Sequence, residues 1–187
     1  MKAVLNGLVL VGGKSSRMGH EKRLIQYHDQ PQEVYLSELL SVYCSAVYLS
    51  CNVIQAAEIG LPKIIDEAQN GPMSGLLSGF RNDPKAAWLV VPCDLPNLNA
   101  ATIATLLKNR NPAKLATVII NAKSKQIEPL LAIYEPAIFE ILQEAHKKGA
   151  YSLMNMLQHI DYQPVLMADD FLKNINSEKE KTAWFTS

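Results

Sequence analysis

The chain has 187 residues, 48% of them hydrophobic and 19% charged, and its 18 basic and 18 acidic side chains balance to a formal net charge of +0. That length suits one globular domain over residues 1–187, with enough interior to need no disulfide or metal staple. The balanced charge gives no support to a nucleic-acid or anionic-membrane partner, either of which favours a basic excess. Cys44, Cys51 and Cys93 form no Cys-x-x-Cys pair, and three reduced thiols point to the cytoplasm. The apolar stretch Leu8 to Val11 follows Asn6-Gly7 and runs into a charged glycine loop, so it does not read as a signal peptide. No apolar segment approaches the length of a membrane span.

In chain order, Val4 to Val11 predicts a buried strand, Ala46 to Ser50 a second, Lys63 to Ile65 a short third and Ala86 to Val91 a fourth. Leu115 to Ile120 and Pro129 to Tyr134 predict later strands. Helices are expected over Met73 to Arg81, over Ala100 to Lys108 behind Asn99 as N-cap, and over Pro136 to Lys147. The last has proline in its first turn and Gly149 after its end. A short surface helix is expected beyond Phe171, and the stretch from Asp161 to Asp170 carries no readable motif. Near-continuous apolar strands alternating with helices imply a mostly parallel sheet covered on both faces. The expected fold is therefore a Rossmann-like three-layer α/β sandwich. In such sheets ligands sit beyond the carboxyl ends of the strands, so the residues after each strand are the ones to inspect.

The first strand runs into Gly12-Gly13-Lys14-Ser15-Ser16-Arg17-Met18-Gly19-His20-Glu21-Lys22. Paired glycines let the backbone turn sharply and come close to a ligand. Loop amides can then point at phosphate oxygens, with Arg17 and Lys22 adding positive charge. A P-loop is excluded, because the position five before Gly13 is Leu8, inside the strand. The Gly-x-Gly-x-x-Gly dinucleotide spacing is absent as well. Against this stands the plainer reading of a surface turn with incidental charges, which the placement directly after a strand disfavours.

Leu10-Val11-Gly12-Gly13, then Ser16-Arg17-Met18-Gly19, then Lys22, resembles the signature of the molybdenum cofactor guanylyltransferases and their nucleotidyltransferase relatives. The family usually has alanine at the place of Val11 and commonly an acid before the lysine, as Glu21 is here. By the same resemblance, the double glycine favours guanine over cytosine. Trp88-Leu89-Val90-Val91-Pro92-Cys93-Asp94-Leu95-Pro96 sets a carboxylate just past the fourth strand. Mg²⁺ prefers oxygen ligands and is commonly held by one or two carboxylates together with substrate phosphates. Asp94 is thus the candidate metal ligand, the alternative being a turn or N-cap aspartate. The family has a closely similar Pro-Cys-Asp-x-Pro segment whose aspartate binds Mg²⁺.

Asn52 and Asp66 follow the second and third strands. Taken alone, each reads as a loop cap; the resemblance implies that both contact the nucleotide, along with Leu10, Val11, Gly12, Gly13, Lys22 and Asp94. Gly71-Pro72-Met73-Ser74-Gly75 is either a helix start or a place where backbone approaches a base, and a similar family segment lies beside the nucleotide. Glu128-Pro129-Leu130-Leu131-Ala132 resembles, less specifically, a segment near the pterin. One of Asn174 and Asn176 is implied at the metal or acceptor site. His20, His28, His146 and His159 are dispersed and form no ligand set, and Met154 and Met156 read as core.

The implied reaction is Mg²⁺-dependent transfer of GMP from GTP to molybdopterin or Mo-molybdopterin, with release of pyrophosphate. Asp94, Lys22 and Arg17 would act as the catalytic groups. Proteins of molybdoenzyme maturation would receive the product. The alternatives are a cytidylyl or sugar-1-phosphate nucleotidyltransferase, or a non-catalytic pterin carrier.

Overall fold

Leu5–Leu10 is buried at every position, which is the signature of a strand with helices over both faces. The computed structural model describes residues 3–12 and 21–168. In it this strand, β1, is followed by α1 (Gln32–Ser41), β2 (Val47–Cys51), α2 (Val53–Ala56), β3 (Lys63–Ile65), α3 (Pro72–Asn82) and β4 (Ala87–Pro92). Then come α4 (Ala100–Lys108), β5 (Ala116–Asn121), β6 (Ile127–Tyr134), α5 (Phe139–Lys147), α6 (Leu153–Leu157) and β7 (Tyr162–Met167). The strands form one sheet in the order β3-β2-β1-β4-β6-β5-β7. β6 alone runs antiparallel to its neighbours β4 and β5.

Two apolar cores sandwich the sheet. One packs Val9, Leu49, Leu89 and Val91 against Leu36 and Leu40 of α1 and Ile103 and Leu106 of α4. The other packs Leu8, Trp88 and Val90 against Leu76 and Phe80 of α3, Leu142 of α5 and Leu153 of α6. The alternation of β1 side chains between the two cores (Leu8 to one, Val9 to the other) follows from the period-2 geometry of a strand.

The local signals act as expected at several boundaries. Asn99 caps α4, its side chain accepting from the Thr102 amide at 3.1 Å. Gly149 sits just past α5 at φ +73°, a conformation that glycine adopts without strain. The first turn expected of that helix, Pro136–Ile138, is a 3-10 turn leading into α5. Met156 is buried in the second core.

Four elements, α1, α2, α6 and β7, have no counterpart among the expected ones. The first turn of α1 buries Gln32 and Glu33, polar residues where an amphipathic pattern wants apolar ones. Their partners explain this: Gln32 donates to the Leu95 carbonyl at 3.3 Å, and Glu33 receives Arg23. β7 lies at the sheet edge, parallel to β5, with Pro164 in its middle. An edge position tolerates a proline because one side of the strand needs no ladder partner.

Candidate functional site

β1 pairs with β2 on one side and with β4 on the other. The chain leaves β1 towards β2 and β3, then returns to place β4 on the opposite flank. The carboxyl ends of β1 and β4 therefore splay their connections apart and open a crevice, as expected at a reversal of strand order. A cleft of about 540 Å³ occupies this place. Leu10, Val11, Gly12, Lys22, Asn52, Asp66 and Asp94 all line it. Seven of the nine sequence-derived site residues thus share one cavity; Gly13 and Arg17 lie outside the described residues, as do His20, Asn174 and Asn176.

The floor is built from main chain. The amides of Val11 and Gly12 both donate to the Ser50 carbonyl at 3.1 Å, which ties the exit of β1 to the end of β2. On the other side the Cys93 amide donates to the Leu10 carbonyl at 3.3 Å, and Asp94 projects next. Lys22 Nζ stands 3.2 Å from Asp94 Oδ2, with the two side chains 19% and 21% exposed. A carboxylate and an ammonium held in partial burial at strand ends are available to a ligand, yet screened enough to matter electrostatically. Burial pushes the neighbouring Cys93 thiol up to about 12, helped by the negative charge of Asp94. Cys93 therefore stays a neutral thiol and belongs to the wall of the site, not to its chemistry.

Asn52 and Asp66 face the cleft while serving local structure. Asn52 caps α2, accepting from the Gln55 amide at 2.9 Å. Asp66 accepts from the Gln69 amide at 3.1 Å and from the Ser74 hydroxyl at 2.6 Å, fixing the turn into α3. Gly71 is the N-cap of α3 at φ +80°. Gly75 is needed by the protein itself: a Cβ there would come within 2.6 Å of Ser50 Oγ. Helix start and helix–sheet packing account for Gly71 and Gly75, and both glycines, with Pro72, also line the cleft. Gly12 differs. A Cβ at that position would meet nothing closer than the Ser50 carbonyl at 3.7 Å, so packing within the described residues does not require the glycine.

Two features go beyond the site residues expected from the sequence. The first is a polar network behind Lys22. Arg23 is buried and bonds Glu21, both oxygens of Glu33 at 3.1 Å, and Glu58 at 2.7 Å. Burial works against its charge, but hydrogen bonds and attraction to Glu33 and Glu21 outweigh that and hold its pKa above the ordinary value. Gln55 joins the network, and its sequence signal was the Asn52-x-x-Gln55 capping-box spacing. The second feature is Glu128 at the start of β6. Val118 pairs with Ala132 but the next residue, Ile119, pairs with Glu128, so residues 129–131 bulge out of the ladder. Leu130 in that bulge lines the cleft. Glu128 is held above the usual carboxylate range by burial and by the charge of Asp94. Bulges of this kind commonly re-aim side chains beside ligand sites.

The donor set suits a hard divalent cation. It offers carboxylate oxygen at Asp94 on the cleft wall. Among the described residues no cluster of three or more acidic, histidine or cysteine side chains exists. An ion here would have to complete its shell from ligand oxygens and water, which is the usual habit of Mg²⁺ at phosphate sites.

The sheet order and the cleft at its switch point are those of an α/β nucleotidyltransferase fold. Residues 7–163 match the MobA-like NTP transferase domain, and the chain belongs to that family. Among its relatives is the "Molybdenum cofactor biosynthesis bifunctional protein" of Synechocystis sp., 35% identical over 94% of this chain. The chain spans only 52% of that protein's length. The "Molybdenum cofactor guanylyltransferase" of Serratia proteamaculans is 28% identical, over 98% of this chain and 95% of its own. Among solved structures, "Molybdopterin-guanine dinucleotide biosynthesis protein A" of Archaeoglobus fulgidus superposes with a TM-score of 0.76 at 21% identity, covering 96% of each chain. Rv0371C of Mycobacterium tuberculosis, in complex with manganese, superposes with a TM-score of 0.75 at 15% identity over the whole of both chains. No helix among the described residues is long and apolar enough to cross a membrane.

Proposed function

We propose that this protein transfers the guanylyl group of GTP to the terminal phosphate of molybdopterin or its molybdenum-bearing form, with Mg²⁺, in the cytoplasm. The observation that carries the reading is the Lys22–Asp94 pair at the switch point of the sheet, 3.2 Å apart on the wall of one cleft. The family and the names of the full-length relatives support the substrates.

An oxygen of the acceptor phosphate attacks the α-phosphorus of GTP. The bond from that phosphorus to the bridging oxygen breaks, and its electron pair leaves with pyrophosphate. A phosphate monoester, with a second pKa of about 6, is already mostly dianionic at neutral pH, so the attack needs no general base. The protein's task is alignment and charge neutralisation. Asp94 would hold Mg²⁺, which supplies positive charge to the phosphates when bound. Lys22, with Arg17, would hold the β- and γ-phosphates and favour the departing pyrophosphate. Gly12 and Gly13, with Leu10 and Val11, would seat the nucleotide. No described residue comes closer to a Cβ at Gly12 than the Ser50 carbonyl at 3.7 Å, and a phosphate or ribose would come against the main chain there. Asn52 and Asp66 would face the nucleoside. Molybdoenzyme-maturation proteins would take the product onward.

The test is pyrophosphate release from folded protein with Mg²⁺ and molybdopterin, comparing GTP, CTP, ATP and UTP. Release with GTP alone is the expected result. Release with CTP alone would keep the mechanism and replace the base. No release from any of the four would overturn the reading in favour of another acceptor or a pterin carrier.

A further inference from the structure

We propose that Gln55 is a positioning residue that sets where Lys22 meets Asp94, acting through Glu21 and Arg23. The inference rests on the reading of Lys22 as a phosphate-binding group, but its structural half can be tested without any nucleotide.

Gln55 is 5% exposed, and its amide bonds at both ends. Nε2 donates to the Val11 carbonyl at 3.3 Å and to Glu21 Oε1 at 3.2 Å. Oε1 accepts from the Asn52 amide at 3.2 Å. One side chain therefore ties the exit of β1 to the residue just before Lys22, and both to the cap of α2. The other oxygen of Glu21 receives Arg23 Nε. Arg23, on the far side of Lys22 in the chain, is itself anchored to Glu33 of α1 and to Glu58 just beyond α2. The two chain neighbours of Lys22 are thus both clamped, and Lys22 is carried between them on a 3-10 turn, its side chain directed to Asp94.

Physical cost argues for a positional role. Desolvating a guanidinium costs several kcal/mol before its partners return any of it, and buried ion pairs are on average no better for stability than apolar residues of the same size. Three carboxylates around one buried arginine are a poor way to gain stability but an effective way to fix a geometry. The geometry fixed here belongs to the segment bearing Lys22. A misplacement of about 1 Å at a reacting centre can cost on the order of 100-fold in rate, so a clamp at this point has a catalytic consequence although it touches no substrate.

The experiment compares wild type, Gln55→Leu, Lys22→Ala and the double variant, with Leu142→Ala as a control that loosens the opposite core. Two readouts are taken. The first is acylation of the Lys22 amine by an N-hydroxysuccinimide ester in nucleotide-free folded protein, followed by peptide mass analysis. The second is kcat and KM with whichever nucleoside triphosphate the wild type turns over. Gln55→Leu is expected to raise Lys22 labelling several-fold and to lower kcat about 10- to 100-fold. It should cause no further loss in the Lys22→Ala background, the mark of two residues acting as one. Leu142→Ala should lower thermal stability while leaving Lys22 labelling unchanged. Should Gln55→Leu fail to fold, Glu21→Gln, which keeps shape and an acceptor for Gln55, carries the same readouts. Unchanged Lys22 labelling in the folded variant, or a full additional rate loss in the double variant, overturns the proposal. Raised labelling in a protein that turns over no nucleotide would leave the clamp standing and overturn the proposed function instead.

Discussion

The two walls of the cleft are built on different plans. On the β1–β2–β3 side every strand is parallel, and the polar groups behind the wall are matched: Arg23 with three carboxylates, Gln55 with two carbonyl or carboxylate acceptors, Asp66 with an amide and a hydroxyl. On the β4–β6 side the sheet changes direction, the ladder bulges at residues 129–131, and the negative charge of Asp94 acts on the half-buried carboxylate of Glu128. A matched wall suits a part of the ligand that is always the same. A bulged and electrostatically unbalanced wall suits the place where a metal ion and the second substrate must enter. The difference teaches that rigidity and reactivity are divided between the two halves of one sheet.

The largest effect that tests this division is expected at Asp94. Asp94→Ala should lower turnover by about 10³-fold or more, in the range seen when a charge-stabilising group is removed from a reacting centre. Thermal stability should stay near wild type, since the side chain is partly exposed and its ion pair with Lys22 is partly exposed as well. Normal Mg²⁺-dependent turnover in a folded Asp94→Ala protein would remove the metal assignment.

Next come two glycines that look alike in sequence and differ in the structure. Gly75→Ala drives a Cβ to within 2.6 Å of Ser50 Oγ, an overpacking that should cost about 1–3 kcal/mol of stability. Much of that loss should return in the Gly75→Ala, Ser50→Gly pair. Gly12→Ala meets only ordinary contacts among the described residues, so its stability should change by no more than about 1 kcal/mol. Nucleotide affinity should fall nonetheless, on the order of 10-fold, the scale of one misplaced methyl-sized group in a pocket. Differential scanning fluorimetry and nucleotide titration of both variants separate a glycine required by the fold from one required by a ligand. Equal affinity in wild type and Gly12→Ala would show that nothing docks over that backbone.

Much of the fold was legible because its signals are local. Continuous apolar runs gave the buried strands, and Asn99 and Gly149 marked helix ends. The rule that ligands sit at strand ends needs only strand boundaries and pointed to the place, while the family resemblance supplied which residues would share it. What escaped depends on contacts distant in sequence. α1 hides its helical character because Gln32 and Glu33 point inward, and only Leu95 and Arg23 make that affordable. β7 carried no readable motif because Pro164 breaks the pattern, and its place at the sheet edge accommodates that proline. The clamp on Lys22 draws on residues from three separate stretches of chain, so no window of sequence displays it. The segment around Glu128 was legible as a motif, but the reach of Asp94's charge to Glu128 follows from the antiparallel course of β6, which strand composition does not announce.

Glu128 gives the smallest and most discriminating test of the unbalanced wall. Its carboxyl is held above the usual range by burial first and by Asp94 second. A carboxylate whose folded-state pKa is raised binds its proton more tightly in the native protein than in the unfolded chain. The native state is therefore penalised above that raised pKa, and the penalty is absent below the ordinary carboxylate range. Glu128→Gln, neutral and of the same shape, should raise the thermal midpoint slightly at pH 7 to 8. The gain should shrink as the pH falls through the acid range and vanish once Glu128 itself is protonated in both states. Adding Mg²⁺ with a nucleotide should also shrink it, because positive charge beside Asp94 offsets the repulsion that Glu128 feels. A thermal gain that persists unchanged at low pH would mean that the substitution acts by packing, and the contrast between the two walls would then lie in their hydrogen bonds alone.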